Sequence, residues 1–178
     1  MFKFISVDIS ENTGNVTNYA SALEGVKIKT STGNICVEDV SAGSIDLTVS
    51  TGKVTVSGVT CEGNIAVGVS TGKTHLSNIQ CKNFTSNGST GDISLNNVIA
   101  TEKFSIKRST GDIKFDDSDA AEIYIETDTG DVTGSLLTDK VFIAKTDTGK
   151  INVPQTVNGG RCEVSTDTGD IKITVEKG

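Results

Sequence analysis

A Thr-Gly pair recurs along the whole chain, at Thr13-Gly14, Thr32-Gly33, Thr51-Gly52, Thr71-Gly72, Thr90-Gly91, Thr110-Gly111, Thr129-Gly130, Thr148-Gly149 and Thr168-Gly169. Successive glycines lie 19, 19, 20, 19, 20, 19, 19 and 20 residues apart. A period this tight marks a solenoid, in which each repeat is one coil stacked on the next. A sharp corner between strands favours a residue that tolerates positive φ, which accounts for the Gly. β-branching in the Thr suits the extended backbone beside it.

The same phase predicts which side chains point inward. Two residues after each Gly stand Val16, Ile35, Val54, Thr74, Ile93, Ile113, Val132, Ile151 and Ile171. Four after stand Val37, Val56, Leu76, Leu95, Phe115, Val153 and Ile173, with Asn18 and Gly134 as exceptions. Apolar residues two apart describe a strand with one buried face. A second such strand leads into the corner. Its inward residues lie seven before the Gly (Val7, Val26, Ile45, Ile65, Phe84, Phe104, Ile123, Phe142, Cys162) and five before (Ile9, Ile28, Leu47, Val67, Ser86, Ile106, Ile125, Ala144, Val164). A third inward position, seven after the Gly, holds Val40, Val59, Ile79, Val98 and Leu137.

The expected fold is all-β: a single-stranded parallel β-helix, or β-solenoid, of about nine coils of 19–20 residues, forming one domain over residues 1–178. Coils are expected to stack in sequence order at ~4.8 Å each, giving a rod on the order of 40 Å long. Right-handed winding is the default for parallel crossovers.

Composition narrows the function classes. The chain has 19 Gly, one Pro, no Trp and 4% aromatics, which suits strands and tight turns. Its net charge is −7, with 7 acids against 6 bases in residues 1–91 and 16 against 10 in residues 92–178. An acidic chain without a basic patch is a poor binder of nucleic acid or of anionic membranes. No stretch approaches the ~20 apolar residues of a transmembrane helix. Residues 1–10 alternate apolar and polar and do not form a signal peptide. The expectation is either a cytoplasmic protein or one whose export or anchoring segment lies outside this sequence.

Runs such as Ser89-Thr90-Gly91-Asp92-Ile93, Ser109-Thr110-Gly111-Asp112-Ile113 and Asp167-Thr168-Gly169-Asp170-Ile171 resemble those of bacterial adhesins with β-strand repeats. The resemblance covers essentially the whole chain. It implies a β-helical fold and a cell-surface or envelope location, often behind a membrane anchor, and no established ligand. The chain departs from that pattern in lacking an anchor and an obvious N-terminal capping helix. Solenoid ends expose unpaired strand edges. Their lack of a cap points to a removed segment or to an end-to-end homo-oligomer.

Several constellations invite a chemical reading. Asp128, Asp147 and Asp167 each precede Thr-Gly and spell the aspartic-protease signature, which needs two carboxylates sharing a proton. Other coils carry Asn12, Ser31, Ser50, Ser70, Ser89 or Ser109 there, so the Asp is read as a turn residue. With Asp92, Asp112, Asp131 and Asp170 these residues form an acidic edge. Such an edge has the oxygen donors Ca²⁺ takes, but the glycine-rich nonapeptide of calcium solenoids is absent. Lys150 is expected between Asp131 and Asp170, offsetting their repulsion. Cys61 and Cys81 share a small-residue corner with Ala42, Ala100 and Ala120, and are read as buried thiols. Cys162 replaces a core residue, and Cys36 faces out as the reactive candidate. His75, the one His, faces outward. Arg108, where other coils have Thr or Val, is expected to reach out to a neighbouring carboxylate. Tyr124 and Ile143 share an outward position, with Val141 beside them, and form the candidate interaction patch.

These readings converge on a non-enzymatic, adhesin-like surface or envelope scaffold, with no catalytic, cofactor or metal residues assigned. Its expected partner is a protein or carbohydrate surface, not nucleic acid. One alternative is a self-assembling cytoplasmic scaffold of the bactofilin kind. Another is a β-helix carbohydrate-active enzyme, disfavoured by scarce aromatics and by the absence of a long inserted loop to wall a cleft.

Overall fold

The alternating apolar residues on both sides of each Thr-Gly pair form paired strands in the computed structural model, which describes residues 4–176. Among the described residues the chain is all-β with no helix, and its strands join in one continuous parallel sheet wound into a β-solenoid. In chain order they are β1 (Phe4–Thr13), β2 (Val16–Asn18), β3 (Ala22–Thr32), β4 (Ile35–Glu38), β5 (Ser41–Ala42), β6 (Ile45–Thr51), β7 (Val54–Cys61), β8 (Asn64–Thr71) and β9 (Thr74–Thr90). They continue as β10 (Ile93–Thr110), β11 (Ile113–Ser118), β12 (Glu122–Thr129), β13 (Val132–Leu136), β14 (Lys140–Thr148), β15 (Ile151–Asn152), β16 (Gly160–Thr168) and β17 (Ile171–Val175). We number the coils 1 to 9 by their Thr-Gly pairs.

The predicted inward columns form the core: Val26, Ile28, Leu47, Val67, Phe84, Ile106 and Ile125 are buried. In the end coils Val7, Ile9, Phe142 and Ala144 are only partly buried and Ile151, expected inward, is exposed, because among the described residues nothing stacks beyond them. Neighbouring coils pair residue for residue, as in Ile28↔Leu47 and Val56↔Leu76. Every corner Gly but Gly149 donates its N–H to the corner Thr carbonyl of the next coil in space, as Gly52 does to Thr71 at 3.0 Å. Gly72 shows why nothing larger fits. Its φ is +143°, and a Cβ there would overlap the Gly52 carbonyl oxygen. Of the two exceptions in the column four after the Gly, Asn18 hydrogen-bonds the backbone of Ala20, and Gly134 leaves room for the Phe115 ring.

A second corner lies six residues after the Gly. Asp39, Asn78, Asn97 and Asp117 occupy it with φ of 48–52°, and Gly58 with 62°. Asn, Asp and Gly are the residues that visit this left-handed region at least cost. In coil 7 the position falls on Leu136, which has no such freedom, and there the regular path ends.

The stack then departs from sequence order. β16 lies between β12 and β14, so Ile123 pairs with Cys162 and Cys162 with Phe142. Likewise β17 lies between β13 and β15, giving the column Val132, Ile171, Ile151. The spatial order is therefore coils 1 to 7, then 9, then 8, which corrects the expected sequential stack. From Leu136 the chain steps past one coil height to Lys140, builds coil 8, and returns through residues 153–159 to fill the gap. Leu137, expected inward, is 41% exposed on this step, and Leu136 is buried instead. Gly159 and Gly160 allow the re-entry, since Cβ atoms there would overlap the carbonyl oxygens of Asp139 and Ala121. Pro154 sits in the return loop, outside any strand, where no ladder N–H is needed.

Candidate functional site

Four irregular residues of the repeat, Arg108, Thr74, Ser86 and Gly88, meet inside the stack. Arg108 is 1% exposed, at an inward position that carries Thr30, Val49, Val69 and Thr127 in other coils. Its side chain crosses coil 5 and reaches coil 4, where Nη1 donates to the Val69 carbonyl at 3.3 Å. Nη2 donates to Thr74 Oγ1 and Ser86 Oγ, each at 3.2 Å. These two hydroxyls stand in columns that are otherwise almost wholly apolar. Gly88 makes the passage, for a Cβ there would collide with Nη1. Among the described residues no carboxylate pairs with Arg108, and its Nε has no partner. Burial lowers its pKa to about 10, so it is still a cation at neutral pH. The outward reach expected for Arg108 is thus corrected. The space left by Gly88 and the acceptors on Thr74 and Ser86 draw it inward.

A second buried cation lies at the step between coils. Lys140 Nζ sits 2.5 Å from Asp119 Oδ1, both side chains almost fully buried. The Thr138 hydroxyl donates to Asp119 Oδ2 at 2.7 Å, and the Ala120 N–H to Oδ1 at 2.7 Å. Lys140 Nζ also donates to the Thr138 hydroxyl, and the Thr156 hydroxyl to the Lys140 carbonyl. Beside this cluster opens a groove of about 570 Å³, lined by Ile99, Ala100, Ala120, Leu137, Asp139 and Gly159 among others. Asp139 Oδ1 is buried there without a hydrogen-bond partner among the described residues. Sequence reasoning missed the pair, because neither residue belongs to a repeated column. The one local signal is the missing left-handed residue at Leu136.

The acidic edge has a structural occupation. Asp92 Oδ1 accepts the Asp112 N–H at 3.2 Å, Asp112 Oδ1 that of Asp131 at 2.9 Å, and Asp131 Oδ1 that of Asp170 at 2.7 Å. Asp170 Oδ1 then accepts the Lys150 N–H at 2.8 Å. Asn15 and Asn34 begin the same ladder at the other end. Lys150 therefore lies beyond Asp170, not between it and Asp131, because coil 8 is outermost. Asp128, Asp167 and Asp147 follow the same spatial order, are exposed, and make no joint site; Asp147 pairs with Lys145 at 3.3 Å. Among the described residues no group of three His, Cys, Asp or Glu is arranged to hold a metal.

The candidate patch is divided by the same insertion. Glu163 pairs between Tyr124 and Ile143, and Arg161 pairs with Val141. Arg161 bonds Glu163 at 2.6 Å and lies over the Tyr124 ring at 5.8 Å, with Lys103 Nζ over the ring at 4.6 Å. Val141 and Ile143 remain exposed on coil 8. All four cysteines are free thiols. Burial pushes Cys81 and Cys162 up to about 12, and raises Cys61. Cys36 is raised too, by partial burial and then by Glu38, whose carboxylate its thiol approaches at 3.4 Å. His75 is half-buried on an outward position.

No curated protein and no solved structure matches this chain. The model of one family, Toastrack DUF4097, matches it twice, over residues 3–97 and again over residues 60–178. The overlap of the two matches follows from a repeat that looks alike wherever it is entered. Together they span nearly all of the solenoid described above, and the chain belongs to the Toastrack DUF4097 family.

Proposed function

We propose that this solenoid is a non-enzymatic scaffold of the cell envelope, adhesin-like in presenting a rigid side to a protein or carbohydrate surface. The observation that carries this reading is how its conspicuous polar groups are engaged. Asp112, Asp131 and Asp170 hold backbone N–H groups of neighbouring coils. Arg108 ties coils 4, 5 and 6 together from inside, and Lys140 and Asp119 fasten the step. General acid–base or nucleophilic work needs such groups free to meet a reacting atom. The contact face in this reading carries Tyr124 between Lys103 and Arg161, with Val141 and Ile143 at its coil-8 end. An aromatic ring flanked by cations suits an anionic or hydroxyl-rich surface.

The test is location followed by binding. Cells expressing the full gene product are fractionated, and intact cells are treated with protease. Envelope recovery with cleavage from outside supports the reading, and Tyr124→Ala then weakens attachment to the surface bound. Confinement to the cytosol overturns it.

A further inference from the structure

The two ends of the stack are chemically complementary. In the Gly column each N–H donates toward the next coil in space, from Gly14 to Thr32 through to Gly169 to Thr148. The column two after the Gly repeats this polarity, from Val16 to Asn34 through to Ile171 to Lys150. Among the described residues, coil 8 therefore ends on the unaccepted N–H groups of Gly149 and Ile151. Coil 1 ends on the carbonyls of Thr13 and Asn15, which receive no donor. Both end coils also leave core columns open. Phe142, Ala144 and Val153 are only partly buried and Ile151 is 45% exposed, while Val7 and Ile9 are partly buried at the other end.

From this polarity we infer that coil 8 of one copy receives coil 1 of a second copy, head to tail. In that register the Thr-Gly corners align. The Gly149 N–H meets the partner's Thr13 carbonyl, and the Ile151 N–H meets the partner's Asn15 carbonyl. Phe142 continues the column of Val7, Ala144 that of Ile9, and Ile151 that of Val16. A head-to-tail contact does not close on itself, so it yields a linear assembly along the solenoid axis. Two rungs fit poorly and set its strength. Lys150 has no oxygen for the partner's Asn15 N–H, so the Asx ladder breaks there, and Glu11 brings a carboxylate onto Thr146 in the column three before the Gly. A net charge of −7 per copy adds repulsion that salt screens. The inference is independent of the cellular location proposed above.

The test is sedimentation velocity and negative-stain microscopy on the 178-residue chain over a concentration series at low and high salt. Mass should rise with concentration and with salt. Lys150→Asn, which restores the missing acceptor, should lower the concentration of half-assembly about fivefold, the value of one hydrogen bond. Ile151→Lys blocks one end and Ile9→Lys the other, with circular dichroism confirming that each variant is folded. Each alone should stay monomeric, and an equal mixture should form a two-copy complex and nothing longer. A wild type that stays monomeric throughout overturns the inference. So does a dimer that Ile151→Lys abolishes and Ile9→Lys leaves intact, since that is a symmetric pairing of two coil-8 faces.

Discussion

Among the described residues two cations are buried in this stack, Arg108 among regular coils and Lys140 at the step, and they are accommodated by different means. Around Arg108 the rungs are fixed about 4.8 Å apart. A guest side chain there has to lie in whatever space neighbouring side chains vacate. Gly88 supplies the space, and Ser86, Thr74 and the Val69 carbonyl supply neutral oxygens. At the step, residues 137–139 run outside the ladder, so backbone and side chains converge from several directions. There the Lys140 ammonium obtains a full carboxylate and the Thr138 hydroxyl, while the Thr156 hydroxyl holds the Lys140 backbone carbonyl. A guanidinium is weakly hydrated and spreads its charge over five donors, so neutral acceptors can serve it, whereas a compact ammonium needs a counter-ion. The ladder thus admits a charge only as an insertion between rungs, and a complete ion pair forms where the ladder is interrupted.

The largest test of this contrast is Asp119→Ala. It leaves Lys140 buried without a counter-ion, and urea unfolding should show a loss of about 3–5 kcal/mol. A loss under about 1 kcal/mol would erase the distinction, since surface pairs are worth that little. Next comes Gly88→Val, which forces the Arg108 side chain from its channel and also presses on the Val69 carbonyl oxygen, and should cost about 1–3 kcal/mol by overpacking. Combining it with Arg108→Met should recover only the share due to the guanidinium, because the clash with the Val69 carbonyl oxygen stays, and that partial non-additivity is expected only if the two side chains compete for one space. Smaller still is Arg108→Met alone, which strands the two hydroxyls and should cost about 1 kcal/mol. With Thr74→Val and Ser86→Val added, the core becomes apolar and stability should return to wild type or exceed it. The difference between wild type and this triple variant should be flat from about pH 6 to 9. Arg108's folded pKa of about 10 lies below its ordinary 12.5, so the unfolded chain holds the proton more tightly. Stability gained by releasing it appears only as pH rises through about 10.

The finest comparison uses two thiols. Cys81 lies among regular coils, and Cys162 lies under coil 8, which pairs on one side only. Both are held near 12, so labelling depends on local opening and speeds up with pH as thiolate forms. Cys162 should label faster than Cys81. Equal rates would mean that coil 8 is held as firmly as the middle of the stack.

Much of the fold was legible from the Thr-Gly phase, because a β column records burial at every second residue. Val26, Leu47 and Phe84 point where their spacing says. The phase flagged Arg108 as odd, but Thr74 and Ser86 passed as members of their inward columns, and the meeting of the three is visible only across columns. The coil order was illegible for a related reason. Phe142 and Cys162 occupy equivalent positions and pair equally well with Ile123, so an in-phase repeat is blind to which copy stacks on which. The absent Asn, Asp or Gly at Leu136 marks where the path changes without saying how. The Asp119–Lys140 pair depends on that path and left no periodic trace. The patch of Tyr124, Val141 and Ile143 was drawn from position in the repeat, and it is split because Glu163 and Arg161 hold the intervening places.

The inserted coil has a consequence for synthesis. Residues 140–152 leave the ribosome before residues 160–175, on which they finally rest. While the later segment is still being made, coil 8 has a ready substitute seat on coil 7, in the same phase and with the same column chemistry. A chain that takes that seat has to lift coil 8 again to admit the later segment beneath it. A solenoid built strictly from one end to the other offers no such competing seat, so this chain has an in-phase mispairing to escape that its regular coils do not.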